Sequence, residues 1–231
     1  FGRGDIKLLT LPGERAKLLG ELGVDTVITH PFDRHVADIT AFDFMKKLKA
    51  QLDVQHLVLG YDSTLGKNRE GHATRLAEIG LALGYTVETV SALGDESGVI
   101  SSTEIRKLVT VGNVAEAAHL MGHPYRLQGL VAYGDRRGRT IGFPTANLNY
   151  AHEKVVPASG IYACWAYVRG EKYSAAVNIG TNPTFTPDKQ TLNVEAYLLD
   201  FAEDIYDETV TLEFVQRLRD DTKSIGTVLE V

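Results

Sequence analysis

The chain of 231 residues has a single cysteine, Cys164, one tryptophan and two methionines. One cysteine excludes an internal disulfide and fits a reducing, cytoplasmic setting. Its apolar neighbours Ala163 and Trp165 point to a core thiol rather than a nucleophile. No apolar run is long enough to span a bilayer, and the start carries no signal-peptide pattern. Excess positive charge is also missing. With 24 Lys+Arg against 30 Asp+Glu the formal net charge is −6, which argues against non-specific nucleic-acid binding as the main task. A nucleic-acid-binding barrel would need a basic aromatic strand face, and the chain has none. No Gly-Lys-Ser/Thr closes a glycine-rich spacer, so there is no Walker A loop. The chain opens at Phe1 rather than Met, and we read it as part of a longer protein.

What is present is a soluble globular composition, 44% hydrophobic and 23% charged, long enough for one large domain or two ordinary ones. The most informative stretch is Gly134-Asp-Arg-Arg-Gly-Arg-Thr-Ile-Gly-Phe-Pro-Thr-Ala-Asn147. Gly134, Gly138 and Gly142 permit tight turns and close backbone approach. Arg136, Arg137 and Arg139 supply local positive charge, and successive N–H groups in such a turn form a concave anion site. After Pro144, Thr145 and Asn147 offer hard oxygen donors able to complete a Mg²⁺ shell shared with phosphates. An exposed Arg/Gly hairpin would also account for these residues.

Upstream, strands alternate with helices. Leu11 to Leu22 reads as a helix with Pro12 in its first turn, an apolar face of Leu11, Leu18, Leu19 and Leu22, and Gly23 as its stop. Val24–Thr29 reads as a strand, Thr40 as the cap of a second helix, and His56–Gly60 as a buried strand. Gly71 to Leu83 is helical with Leu76, Ile79 and Leu83 inward, and Tyr85–Val90 is a third strand. This alternation predicts a parallel α/β sheet, with ligands beyond the carboxyl ends of its strands. There lies Gly60 to Gly71, with Asp62, glycines and basic residues in a composition that suits a mobile loop. Further on, Ser101, Ser102 and Thr103 open a helix that returns Arg106. That start suits phosphate, and Ser101 with Glu104 also makes a capping box. Asn113 to Glu116 is another capping box, opening a helix through Met121 that Gly122 closes. The domain boundary is expected at 122/123.

From Tyr125 the period changes. The strands Tyr125–Tyr133, Gly160–Val168, Lys172–Gly180, Thr191–Leu199 and Thr209–Leu218 predict an antiparallel barrel or sandwich, with a hairpin at Arg169-Gly-Glu. A barrel leaves its loops at its mouths, and the Gly/Arg loop is expected at one of them. In Asn193-Val-Glu-Ala-Tyr-Leu-Leu-Asp-Phe201, alternation sets Asn193, Glu195 and Tyr197 on one face and Val194, Ala196 and Leu198 on the other. Composition alone leaves Glu195 as an exposed carboxylate.

Gly-Arg-Thr-Ile-Gly-Phe-Pro-Thr-Ala-Asn resembles the signature of riboflavin kinases, which in bacteria usually form the second half of a bifunctional riboflavin kinase/FAD synthetase. Asn178-Ile-Gly-Thr-Asn-Pro-Thr-Phe185 is similar to that family's Asn-Ile-Gly-x-x-Pro-Thr-Phe. Val194-Glu-Ala-Tyr-Leu-Leu-Asp-Phe resembles its Val-Glu-x-x-Leu-Leu-Asp-Phe. The resemblance makes Glu195 the catalytic base, gives Thr145 and Asn147 the Mg²⁺ and phosphate roles, and sets Gly134, Gly138, Arg139, Thr140, Gly142 and Pro144 around ATP. It puts Asn178, Thr184 and Arg219 on the flavin side. Asp221 replaces the family's glutamate near Lys223, and no phenylalanine follows that lysine.

Ile-Ser-Ser-Thr-Glu-Ile-Arg106 resembles the second signature of the nucleotidyltransferase superfamily. The Gly60-Tyr-Asp loop resembles the Gly-x-Asp-Phe-x-Phe-Gly segment of the FMN adenylyltransferase half, with Ser63 and Leu65 at its aromatic positions, and the two resemblances together assign Gly60, Asp62, Ser101, Ser102, Thr103 and Arg106 to nucleotide binding. The superfamily's His-x-Gly-His does not occur in this sequence. The resemblance thus implies a Rossmann-like nucleotidyltransferase domain, residues 1–122, N-terminally incomplete. It is followed by a riboflavin kinase barrel with a C-terminal helix, residues 123–231. The implied activities are ATP- and Mg²⁺-dependent conversion of riboflavin to FMN, and of FMN to FAD in the intact protein. The partners are small molecules, with no nucleic acid or membrane. The alternative is a flavin- or nucleotide-binding module without turnover, which would have no need of Thr145, Asn147 and Glu195 together.

Overall fold

A computed structural model describes residues 6–95, 98–132, 145–181 and 192–220. The chain divides into two compact units, one of residues 19–100 and one of residues 1–18 with 101–231.

In the unit 19–100, α2 (Arg34–Ala37) is capped by Asp33, and α3 (Ala41–Leu52) by Thr40, whose hydroxyl accepts from Asp43 N at 3.1 Å. β1 (His56–Gly60) pairs in parallel with β2 (Thr86–Val90), as a β-α-β crossover requires. The crossover helix is α4 (Ala73–Leu83), capped by His72 and ended by Gly84 in the left-handed conformation. Ala41, Met45, Leu59, Leu76, Ile79 and Tyr85 form the core, so the periodicity of α4 placed Leu76 and Ile79 correctly. β3 (Gly94–Asp95) and β4 (Gly98–Val99) make a small antiparallel pair.

Three expectations change here. Val24–Thr29 is not a strand, and none of its residues is buried. Its β-branched content found no pleated neighbour to pack against, and β-propensity is mostly that packing. The β1–β2 pair is less buried than its apolar sequence suggested: Leu59 is covered, but Val58 and Val90 are exposed. The Gly60–Gly71 loop is tethered rather than loose. Leu65 and Gly71 exchange backbone hydrogen bonds, Lys67 N donates to Ile39 O at 2.8 Å, and Glu70 accepts from Ala41 N at 2.7 Å at the start of α3. Gly66 has φ +75, and a Cβ there would lie 2.3 Å from Ala41 N.

The other unit is built on a closed barrel. β5 (Tyr125–Ala132), β6 (Ala146–Tyr150), β7 (Gly160–Val168), β8 (Glu171–Thr181), β9 (Leu192–Leu198) and β10 (Thr209–Arg219) follow the order β10-β5-β6-β9-β8-β7, every pair antiparallel. Alternate residues fill the interior, among them Leu127, Leu148, Val177, Val194 and Leu212. Tyr162 meets Phe214 edge-on there, ring centroids 5.3 Å apart. Cys164 is buried, as its neighbours implied. The β7–β8 hairpin turns at Arg169 (φ 52) and Gly170 (φ 86), the paired positive φ of a type I′ turn. β6, which the sequence pattern did not mark as a strand, supplies two of the barrel's ladders.

α5 (Ser102–Thr110) and α6 (Val114–Met121) belong to this unit, and α6 packs on β10 and β5. So does the segment from Lys7 through the first turn of α1 (Pro12–Glu21). Leu8 bridges Lys154 in parallel: Leu8 N donates to Glu153 O at 2.6 Å, and Val155 N to Leu8 O at 3.0 Å. The Lys154 ammonium, only 3% exposed, pairs with Glu14 and donates to Leu9 O at 2.7 Å. Burial pushes its pKa down, and the Glu14 carboxylate counters part of that shift. The apolar face expected of α1 is at best half-buried, and Leu22 beyond it is 82% exposed. This helix is held by the polar clasp at its start.

Candidate active site

The barrel register brings together residues far apart in sequence. Asn147 on β6 is the cross-strand partner of Glu195 on β9, and Glu195 is in turn the partner of Asn178 on β8. The same rung begins at Ala132 on β5 and continues through Ile161 on β7 to Arg219 on β10. Cross-strand partners share a face, so Asn147, Glu195 and Asn178 stand side by side. Their chain neighbours Ala146, Leu148, Val194, Ala196, Val177 and Ile179 all point into the core. The three polar residues therefore line the outer wall of the barrel, each half-buried. With strands about 4.8 Å apart, Asn147 and Asn178 flank Glu195 across about 10 Å. The Gly/Arg loop expected at the barrel's mouth lies outside the described residues.

Ala132, the last described residue of β5, stands on this rung as the partner of Asn147, and Thr145 precedes Asn147 by two residues. Thr181 and Leu192 are cross-strand partners three residues from Asn178 and Glu195. Tyr150 OH donates to Leu192 O at 2.6 Å and ties β6 to the start of β9. Thr145 is half-buried immediately before β6. Gly134, Gly138, Arg139, Thr140, Gly142, Pro144 and Thr184 lie outside the described residues, as does the expected C-terminal helix. Arg219 is exposed, two strands beyond Asn178 on the shared rung.

Two polar details bear on chemistry. Asn193 Nδ2 donates to Glu195 Oε1 at 2.8 Å and lies 3.4 Å from Asn147 Oδ1. Asn178 Oδ1 is buried and has no hydrogen-bond partner among the described residues. Such an acceptor awaits a donor, and a ligand is a natural source. Among the described residues no three or more His, Cys, Asp or Glu side chains cluster as a metal cage. A divalent ion on this wall would be held by one or two protein oxygens together with phosphates and water, which is how Mg²⁺ is commonly bound. Asn147 Oδ1 fits that use, because among the described residues it takes a long contact of 3.4 Å from Asn193 Nδ2.

The candidate adenylyltransferase residues fall in both units. Gly60 and Asp62 are exposed, at and after the carboxyl end of β1. Ser101 caps α5, its hydroxyl accepting from Glu104 N at 3.2 Å, and Ser102 and Thr103 form the exposed first turn. Arg106 is half-buried, and its Nε donates to Lys7 O at 3.0 Å, so part of its guanidinium is already engaged with the chain.

Comparison with known proteins finds two families along the chain. A family model described as FAD synthetase matches residues 3–104, and one described as riboflavin kinase matches residues 121–226. A bifunctional riboflavin kinase/FMN adenylyltransferase from Listeria monocytogenes is 37% identical over 97% of this chain and 71% of its own length. The protein of that name from Bacillus subtilis is 34% identical over 95% and 69%. The one from Escherichia coli K12 is 37% identical over 93% and 68%. Among solved structures, one from Streptococcus pneumoniae, named a macrolide-efflux protein, superposes with a TM-score of 0.85 at 35% identity, covering 94% of this chain and 70% of that one. No helix among the described residues here is long and apolar enough to cross a membrane. On these matches, the chain belongs to the bifunctional riboflavin kinase/FMN adenylyltransferase family.

Proposed function

We propose that the barrel transfers the γ-phosphoryl group of ATP to the terminal ribityl hydroxyl of riboflavin, giving FMN and ADP. The observation that carries this reading is the single rung with Asn147, Glu195 and Asn178 on the outer wall. Glu195 orients the hydroxyl and accepts its proton as the oxygen attacks phosphorus and the bond to the ADP oxygen breaks. Asn147 and Thr145 are the protein oxygens for Mg²⁺, which when bound neutralises charge on the transferring phosphates. Asn178 and Arg219, further round the wall, take the flavin side. The Gly/Arg stretch with Gly134, Gly138, Arg139, Thr140, Gly142 and Pro144 takes the ATP side, and Thr184 assists the flavin. Catalysis of this kind is mostly positioning and charge stabilisation.

The family's other activity, adenylylation of FMN to FAD, is assigned to residues 1–122, and the kinase to residues 123–231. The spans of the two family matches support this partition. Gly60, Asp62, Ser101, Ser102, Thr103 and Arg106 are its nucleotide-side residues. The substrates are small and soluble, and a buried free thiol at Cys164 supports a cytoplasmic location.

The test is incubation with riboflavin, ATP and Mg²⁺, followed by chromatographic separation of riboflavin, FMN and FAD. Formation of FMN is expected. FAD in addition would add adenylyl transfer to this chain's own work. Bound flavin with no FMN would replace the kinase by a binding module.

A further inference from the structure

Asn193 shares the outer face of β9 with Glu195 and precedes it by two residues, the spacing that returns a side chain to the same side of a strand. Its cross-strand partner on β8 is Gly180, which offers no side chain to compete for it. Its Nδ2 sits 2.8 Å from Glu195 Oε1 and 3.4 Å from Asn147 Oδ1. Both neighbours are acceptors, so the amide nitrogen is the atom that must face them; the reversed amide would set oxygen against carboxylate. An NH₂ group has two hydrogens, one for each neighbour.

We propose that Asn193 is a positioning residue of the phosphoryl-transfer site, tying the Glu195 carboxylate to the Asn147 carbonyl. This rests on the kinase reading given above. A glutamate on an outer wall has three rotatable bonds and loses productive geometry unless something holds it. A misplacement of about 1 Å at a reacting centre costs on the order of a hundredfold in rate. The tie sets the distance between the group that receives the hydroxyl proton and the oxygen that faces the phosphates. Asn193 touches neither substrate in this role. It acts through its two neighbours.

The experiment compares Asn193→Ala and Asn193→Asp with the wild-type chain. The Asp variant keeps the shape, removes the N–H donors and sets a second carboxylate beside Glu195, so it breaks the tie without opening a cavity, and the amide readout below separates the tie from the added charge. We expect kcat for FMN formation to fall roughly ten- to a hundredfold in both variants. KM for riboflavin should stay within about threefold, because binding of the flavin ring does not use the tie. A second readout needs no turnover. In ¹⁵N-labelled protein, the Asn193 side-chain amide signals, identified by their loss in Asn193→Ala, should move when Glu195→Gln removes the charged acceptor. Asn193→Asp turning over at the wild-type rate, beside a slow Glu195→Gln, would overturn the positioning role alone. Amide signals indifferent to Glu195→Gln would overturn it as well. A wild-type chain that makes no FMN would remove the reaction and this role with it.

Discussion

Glu195 is a carboxylate between two asparagines, and each of the three was brought there by a different strand. Replacing it by glutamine keeps the shape and removes the proposed proton acceptor. Glu195→Gln should cut kcat by roughly a hundredfold or more, the usual scale for a general base. Single-turnover FMN formation would measure it, and near-normal turnover would take Glu195 out of the role. Asn147→Ala removes one candidate metal oxygen and should raise the Mg²⁺ concentration needed for half-maximal rate; an unchanged Mg²⁺ titration would count against that assignment. The sequence exposed these residues unevenly. The faces of β9 followed from alternation, so the shared side of Asn193, Glu195 and Tyr197 was readable. The roles of Glu195 and Asn147 came from resemblance. Their adjacency was not readable, because cross-strand register between residues almost fifty apart leaves no local pattern. Asn193 carried one signal, its spacing of two from Glu195, but no motif pointed to it.

At the scale of elements, the informative miss is β6. Ala146-Asn-Leu-Asn-Tyr150 holds two asparagines, which are depleted in strands, and follows a proline. Yet Ala146 and Leu148 alternate inward while Asn147 and Asn149 face out, so the period was present in five residues too polar to stand out. Val24–Thr29 is the opposite case, rich in strand formers and not a strand. The helix signals did better, since Thr40, Ser101 and Asn113 all cap as their spacing implied. Two elements invite direct tests. Gly66→Ala forces a Cβ onto the start of α3 at a positive φ. The backbone term alone is about 1–3 kcal/mol, and the clash adds to it. Denaturant unfolding of the α/β part should shift accordingly. Glu14→Ala leaves the Lys154 ammonium buried without its carboxylate, a loss on the order of 3–5 kcal/mol. Glu14→Gln combined with Lys154→Met should recover much of it, and a double variant as unstable as Glu14→Ala would refute the ion-pair explanation.

Across the whole molecule, burial raises the pKa of several acids at once. Tyr125 and Tyr150 are raised, the Tyr162 hydroxyl is pushed up to about 12, and the Cys164 thiol is raised too. Each native pKa lies above its unfolded value, so as pH climbs past about 10 the unfolded chain gives up protons that the native chain keeps. Their stability contribution is complete below that pH and is lost as pH rises toward the native values. Lys154 works the other way, with a native pKa below the unfolded one, but it is a single group. The barrel should therefore lose stability between pH 9 and 11, as measured by urea midpoints, and Tyr162→Phe should blunt the loss.

The clasp at Lys7 to Glu14 reaches further than stability. Those residues fall within the part matched as FAD synthetase, yet their backbone bonds and the half-buried Glu14 carboxylate go to residues 153–155 in the part matched as riboflavin kinase. A gene split between the two parts would encode a kinase with a stranded ammonium in its wall and an orphaned strand edge beside it. Separating the two parts without stranding that charge would call for a change at Lys154 as well as a cut in the chain.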